Sequence, residues 1–296
     1  MNARPAWSDP IGQGLQGHGF ARTIQTLLRV TQGLPLQGWE RSVRLSTQGV
    51  SHQRLLVGFN TLGVSSARMQ QLPVEWDMPE PLTHMWRQAL PHARQILLAV
   101  EALDDGVVDR RAYLQLDQDD VTLRGFKWRE GQVDDWRQTD YQRVPLDLMR
   151  IHAALSHAIE ATEQPLDLRQ AQETAREVLD QACAQWRLRG NAIDQAPFEV
   201  LAATETTAQG PSARGSLCLR LYDLELAAES IFPPLQRLLR HWNLHAHGAA
   251  VRSMLSQRSL GWLAVGQDRQ GQAFLTIYVQ ASVQDAWQCT APGTGL

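Results

Sequence analysis

In several stretches of this sequence apolar and polar side chains alternate residue by residue, and no other feature constrains the fold as much as that period of two. From Ser216 to Tyr222, Leu217, Leu219 and Leu221 alternate with Ser216, Cys218, Arg220 and Tyr222. From Arg111 to Asp117, Ala112, Leu114 and Leu116 alternate with Arg111, Tyr113, Gln115 and Asp117. From Gln95 to Ala102, Ile96, Leu98 and Val100 stand against Gln95, Leu97, Ala99 and Glu101. The last such run sets Leu275, Ile277 and Val279 against Phe274, Thr276, Tyr278 and Gln280, and Ser42, Arg44 and Ser46 form the polar set of the first. Successive side chains of a strand point to opposite faces, so each run predicts a strand with one apolar and one polar face.

Between these runs the period changes to that of helices. Ile24, Leu27, Leu28 and Thr31 predict a helix over 21–32, stopped by Gly33. Strands Glu40–Ser46 and Arg54–Phe59 follow as a hairpin. A helix within 81–90 precedes three strands, Gln95–Ala102, Arg111–Leu116 and Val121–Trp128, the first pair joined by the Asp104-Asp105-Gly106 turn. Leu146 to Leu188 reads as a helix pair broken near Gln164-Pro165, where proline interrupts the backbone hydrogen bonds. Strands Phe198–Thr204 and Ser216–Tyr222, helices Leu224–Trp242 and Ala249–Gln257, and the hairpin Leu260–Gly266 with Ala273–Gln280 complete the order.

The result is a repeat, α-β-β, α-β-β-β, α-α-β-β, α-α-β-β. Strands joined by tight turns are antiparallel, which disfavours a doubly wound parallel sheet and sets the class as α+β. Two architectures satisfy the pattern. One is an open antiparallel sheet with helices on one face and a wet polar face. The other is an antiparallel β-barrel surrounded by helices, whose polar face lines a lumen and whose closure removes unpaired edges. On the second reading residues 20–282 form a single barrel domain, between a flexible Gly-, Pro- and Gln-rich tail over 1–19 and a C-terminal coil over 283–296.

Composition bounds the function. At 43% hydrophobic and 20% charged residues the chain is apolar enough to fold. Neither an apolar run of membrane-spanning length nor a secretory leader is present, so a cytoplasmic protein is expected. A formal charge of −3 argues against a general nucleic-acid binder. Cys183, Cys218 and Cys289 are widely spaced and read as free thiols. Dinucleotide, P-loop and nucleophile-elbow glycine motifs are missing, as is the DDxxD of isoprenoid synthases. His241, His245 and His247 have a spacing that could meet a metal, but histidines at a helix C-terminus are explained by the helix dipole, and no metal site is assigned. Asp104, Asp105 and Asp109, and Asp117, Asp119 and Asp120, read as solvated turns that could alternatively hold magnesium. Lys127 is the only lysine beside a large complement of arginine.

The repeated order, the length, the Arg-x-Tyr strands and the run Gly271-Gln-Ala-Phe-Leu-Thr-Ile-Tyr278, which looks like a closing barrel strand, together resemble the ABBA-type aromatic prenyltransferases over about residues 20 to 282. That resemblance implies transfer of a prenyl group from an allylic diphosphate to an aromatic small molecule or peptide inside a polar-lined barrel. It implies fixed cations for the diphosphate and tyrosines around the reacting carbon, because cations assist departure of the anion and aromatic faces stabilise an allylic cation while excluding water. Arg44, Arg111, Lys127 and Arg220 are the expected diphosphate ligands, Tyr113, Tyr222 and Tyr278 the expected shield, and Thr276 accompanies Tyr278. Glu101 is the expected base, with a cross-strand ion pair to Arg111 as the structural alternative; Glu199 is a substitute. Magnesium accompanying the diphosphate is the only cofactor considered. Lys127 alternates with Leu123 and Gly125, so a bulge or register change is required if Arg124 is not the inward residue. A non-catalytic binding, maturation or assembly protein of the same architecture is the alternative function.

Overall fold

The computed structural model describes residues 18–102, 107–118, 120–144, 148–160, 165–192 and 198–281. The expected tail, save its last two residues, the C-terminal coil, the Asp104-Asp105-Gly106 turn, Asp119, Gln164 and Cys289 lie outside the described residues.

Ten long strands carry the architecture: β1 (Leu36–Ser46), β3 (Arg54–Asn60), β4 (Ala93–Ala102), β5 (Val108–Leu116), β6 (Leu123–Arg129), β7 (Gln132–Arg143), β8 (Glu199–Thr207), β10 (Gly215–Arg220), β11 (Leu260–Gln267) and β12 (Ala273–Gln280). Two short strands, β2 (Gly49–Ser51) and β9 (Gly210–Pro211), extend β1 and β8. Each long strand pairs antiparallel with the next, β10 pairs with both β8 and β11, and β12 returns to β1, with Ser42 opposite Tyr278 and Arg44 opposite Thr276. The ring is closed, which settles the choice between barrel and open sheet.

The strand missed in the sequence is β7. Its polar residues and three acidic side chains, Asp134, Asp135 and Asp140, obscure the alternation. It matters to closure: nine strands cannot all be antiparallel in a ring, and the tenth restores an even number. Helix α2 (Ser66–Glu75) was also unforeseen, because it is weakly amphipathic and carries Pro73 inside. The helix expected from Leu224 begins only at Phe232, where Pro233 and Pro234 fit a first turn, and short 3₁₀ turns occupy Tyr222–Leu224 and Ala228–Ile231.

Two apolar layers lie outside the barrel. Helices α1 (His18–Val30), α2 and α3 (Glu80–Ala89) bury Ile24, Leu27, Trp76 and Trp86 against Val57, Leu98, Leu114 and Phe126 of β3 to β6. Helices α4 (Leu148–Glu160), α5 (Leu166–Leu188), α6 (Phe232–His241) and α7 (Gly248–Leu255) bury Leu155, Val178, Leu238 and Met254 against Val43, Leu219, Leu263 and Ile277. With the apolar face spent on helices, alternation sends every second side chain into the lumen. A third, smaller cluster sits there as a waist, formed by Tyr113, Tyr141, Leu201, Ala203 and Ala99. Among the described residues no helix is long and apolar enough to cross a membrane.

Candidate active site

The waist divides the lumen into two ends. On one side is a cavity of about 660 Å³. Tyr113, Tyr141 and Tyr278, from β5, β7 and β12, form its floor with Cys218. The Tyr113 and Tyr141 rings lie 6.5 Å apart and tilted by 55°. Gly125, opposite Tyr113 on β6, makes this possible: a Cβ there would come within 2.8 Å of the Tyr113 ring. Burial first, and then the neighbouring Tyr113, push the Tyr141 hydroxyl well above its ordinary pKa, and burial raises that of Tyr278.

Glu40 of β1 forms part of the cavity wall and accepts a short hydrogen bond from the Tyr222 hydroxyl. Burial raises its pKa to about 6, against the opposing effect of that bond. Tyr222 is raised by burial and then by Glu40. A Cβ at Gly261 would lie 2.5 Å from the Tyr222 ring, so glycine there lets the ring approach the strand. At the mouth Arg143 donates to Glu199 at 2.6 Å, and Arg220 pairs with Asp223 and stands 3.9 Å from Glu199. The mouth thus offers both signs of charge.

The other end is packed with charge. Arg44, Arg54, Arg111, Arg129, Arg137, Arg214 and Arg269 pair with Glu101, Asp109, Asp135, Glu205 and Asp268, and Lys127 stands among them, eight cations to five carboxylates. Glu101 is saturated: it pairs with Arg111, with Arg54 at 3.2 Å, and accepts from Ser51 at 3.2 Å. Asp109 receives Arg137 at 3.1 Å and Arg129 at 3.6 Å, and Glu205 receives Arg214 at 3.0 Å. Burial would raise the Glu205 carboxyl, but Lys127 and Arg214 outweigh it and keep its pKa low.

Within this cluster Arg111, Lys127 and Arg137 stand directly opposite one another on β5, β6 and β7. Like charges in cross-strand register are destabilising, so the row is an arrangement that packing alone does not favour. Lys127 is 4% exposed, and among the described residues no carboxylate lies within ion-pair distance of its amine. Burial, then Arg214 and Arg111, push its pKa well below the ordinary lysine value. Arg111 is lowered to about 10 by burial and then Arg54, and Arg44 similarly. Buried Nε atoms of Arg111, Arg137 and Arg214 and one Nη of Arg54 have no hydrogen-bond partner. Orphaned donors and surplus positive charge converge where an anion would satisfy both.

The expected residues are therefore distributed by depth. Arg111, Lys127 and Glu101 sit together at the packed end, with Arg44 further out against Asp268 and the Phe274 ring. Tyr113 and Tyr278 join the floor, and Thr276 is buried next along β12. Arg220 and Tyr222 belong to the cavity end, and Glu199 to its mouth. Lys127 points inward without the bulge: Leu123 to Trp128 run in even register with both neighbours, and Arg124 faces outward to Asp140 at 2.7 Å. Sequence reasoning missed Arg137 and Tyr141 because β7 was missed, although Arg137-x-Thr139-x-Tyr141 carries the same signal as Arg111-x-Tyr113. Arg54 opens β3, Glu205 lies near the end of β8 and Arg214 precedes β10, where alternation is least legible, and Glu40, inside β1, stands at the start of the strand read from the sequence. Among the described residues no three His, Cys, Asp or Glu side chains are placed to hold a metal, and His245 and His247 lie in a 3₁₀ turn beyond the helix that ends at His241.

This closed ten-stranded barrel inside a ring of helices is the PT-barrel fold of the ABBA-type aromatic prenyltransferases. The chain is similar to 5-dimethylallyltryptophan synthase from Streptomyces coelicolor, with a TM-score of 0.54 and 13% identity over 94% of this chain and 98% of that one. It is similar to PriB, solved as a binary complex with product diphosphate, with a TM-score of 0.51 and 14% identity over 92% and 95% of the two chains. AnaPT from Neosartorya fischeri gives a TM-score of 0.50 and 13% identity over 82% and 77%. At such identities the likeness is one of fold. No protein-family model matches the sequence, and no curated protein matches it.

Proposed function

We propose that this chain transfers a prenyl group from an allylic diphosphate to an electron-rich aromatic acceptor. The observation that carries this reading is the cation row with its unpaired lysine, placed beneath a floor of tyrosines that opens on a cavity with a half-buried carboxylate.

The diphosphate rests against Lys127, Arg111, Arg137 and Arg214, which neutralise the charge that grows as the C–O bond breaks. The prenyl carbon lies among Tyr113, Tyr141 and Tyr278, whose neutral rings face the allylic cation and keep water from it. The acceptor ring occupies the cavity, and its carbon attacks the cation. Glu40, held by Tyr222, accepts a hydrogen bond from the acceptor or takes up the ring proton. The paired charges of Arg143, Glu199, Arg220 and Asp223 at the mouth suit an acceptor with a zwitterionic end, such as a free aromatic amino acid.

A second reading, binding without turnover, draws on the saturation of Glu101, Arg54 and Arg111 by one another. Calorimetric titration with dimethylallyl and geranyl thiodiphosphates, with and without magnesium, followed by turnover of tryptophan with dimethylallyl diphosphate, tests both. Binding that is lost in Lys127→Met, together with a prenylated product, is the expected result. No heat with either analogue overturns the donor site, and binding without product in an acceptor screen leaves the second reading.

A further inference from the structure

We propose that the Lys127 amine is a covalent capture site for small aldehydes that carry a phosphate. The inference rests on the anion site of the preceding reading but asks more of it. A lysine stays an ammonium ion where water or a carboxylate solvates it; Lys127 is 4% exposed and has no carboxylate within ion-pair distance among the described residues. In register on either side stand Arg111 and Arg137, whose Nε donors are orphaned, as is that of Arg214. A bifunctional ligand fits this row: its phosphate occupies the guanidiniums and its carbonyl carbon meets the amine.

The step is condensation. The amine lone pair attacks the carbonyl carbon to give a carbinolamine; the C–O bond then breaks, and the oxygen leaves as water with the two hydrogens of the amine, forming an imine C=N bond. It requires the uncharged amine. Desolvation and the facing charges favour that form: Arg111 from β5, Arg137 from β7 and Arg214 ahead of β10 all oppose the ammonium, while Glu205 from β8 supports it. Burial raises the pKa of the Tyr141 and Tyr278 phenols, which keeps them uncharged. As the chain's only lysine, Lys127 competes for aldehydes solely with the chain's α-amine.

The test incubates the whole chain with pyridoxal 5′-phosphate, fixes imines with borohydride and maps the adduct by mass spectrometry. An adduct on Lys127, suppressed at least tenfold by inorganic diphosphate while α-amine labelling is unaffected, is the expected outcome; its labelling onset should fall at lower pH than that of a free lysine. Lys127→Arg, which keeps the charge, should lose the adduct and remain folded by circular dichroism. Labelling confined to the α-amine, or labelling of Lys127 with an ordinary lysine pH profile and no diphosphate protection, overturns the proposal. Separate titration with dimethylallyl thiodiphosphate distinguishes the two ideas: donor binding without Lys127 labelling sinks this one alone, and labelling without donor binding sinks the prenyl-transfer reading alone.

Discussion

The two ends of the lumen are built from the same ten strands and the same alternation, yet one is an open cavity and the other is crowded with ion pairs. At the cavity end the inward positions carry short or apolar residues such as Gly58, Leu97, Leu201 and Cys218, and the carboxylate of the wall, Glu40, is hydrogen-bonded to the Tyr222 hydroxyl. At the packed end they carry long charged residues, which pair between strands one or two places apart around the ring. The carboxylates teach the difference. Glu101 is engaged by two arginines, so its charge is compensated; Glu40 has only a neutral hydroxyl, so burial drives its pKa up. One end compensates its carboxylates with cations, and the other leaves its carboxyl near neutrality.

Glu40→Gln sharpens that contrast most. Turnover should fall by roughly 10²–10⁴-fold with thiodiphosphate affinity unchanged, measured by product formation beside calorimetry. The same substitution should stabilise the fold. A carboxyl whose pKa is raised to about 6 contributes stability that is complete below its unfolded pKa and lost as pH rises through 6, so at pH 7–8 the neutral variant should gain about 2 kcal/mol in urea denaturation. At the packed end Glu101→Gln should act in the opposite direction. It leaves Arg54 and Arg111 uncompensated and should cost ~3–5 kcal/mol of stability. A cost below ~1 kcal/mol would break the comparison.

Lys127→Met separates ligand binding from folding within the packed end. Removing an unpaired buried amine should leave stability unchanged or raised, while diphosphate affinity falls by ~1.5–3 kcal/mol. Loss of stability in this variant would mean that the lysine is part of the ion-pair network. Gly125→Ala probes the waist: the added Cβ should displace Tyr113 at a cost of ~1–2 kcal/mol, with turnover falling more than donor affinity. The smallest effect is expected at the mouth. Arg143 is 64% exposed, so Arg143→Ala should change stability by no more than ~1 kcal/mol while raising KM for acceptors with a free carboxylate.

The cavity end was the less legible in the sequence. Arg-x-Tyr spacing singled out Arg111 and Tyr113 because Ala112 and Leu114, the apolar members of the same run, fix the face on which both lie. Glu40, in contrast, opens the strand as it was read from sequence, and nothing in its neighbourhood distinguishes a wall carboxylate from a solvated one. Glu101 attracted attention as a charge ending an apolar run; what it meets depends on Arg54, a residue far away in sequence and adjacent only through β3–β4 pairing.

The sequence by itself determined the α+β class, the antiparallel pairing and the inward set of most strands, because period-two alternation is a local property that each strand carries alone. Only the tertiary structure decided that the sheet closes, since closure depends on β7 and on the pairing of β12 with β1. It also decided the depth at which each inward side chain lies, and depth separates the cation row from the cavity. Depth is set by register and strand tilt around the whole ring, quantities to which every strand contributes and which no single stretch of sequence records.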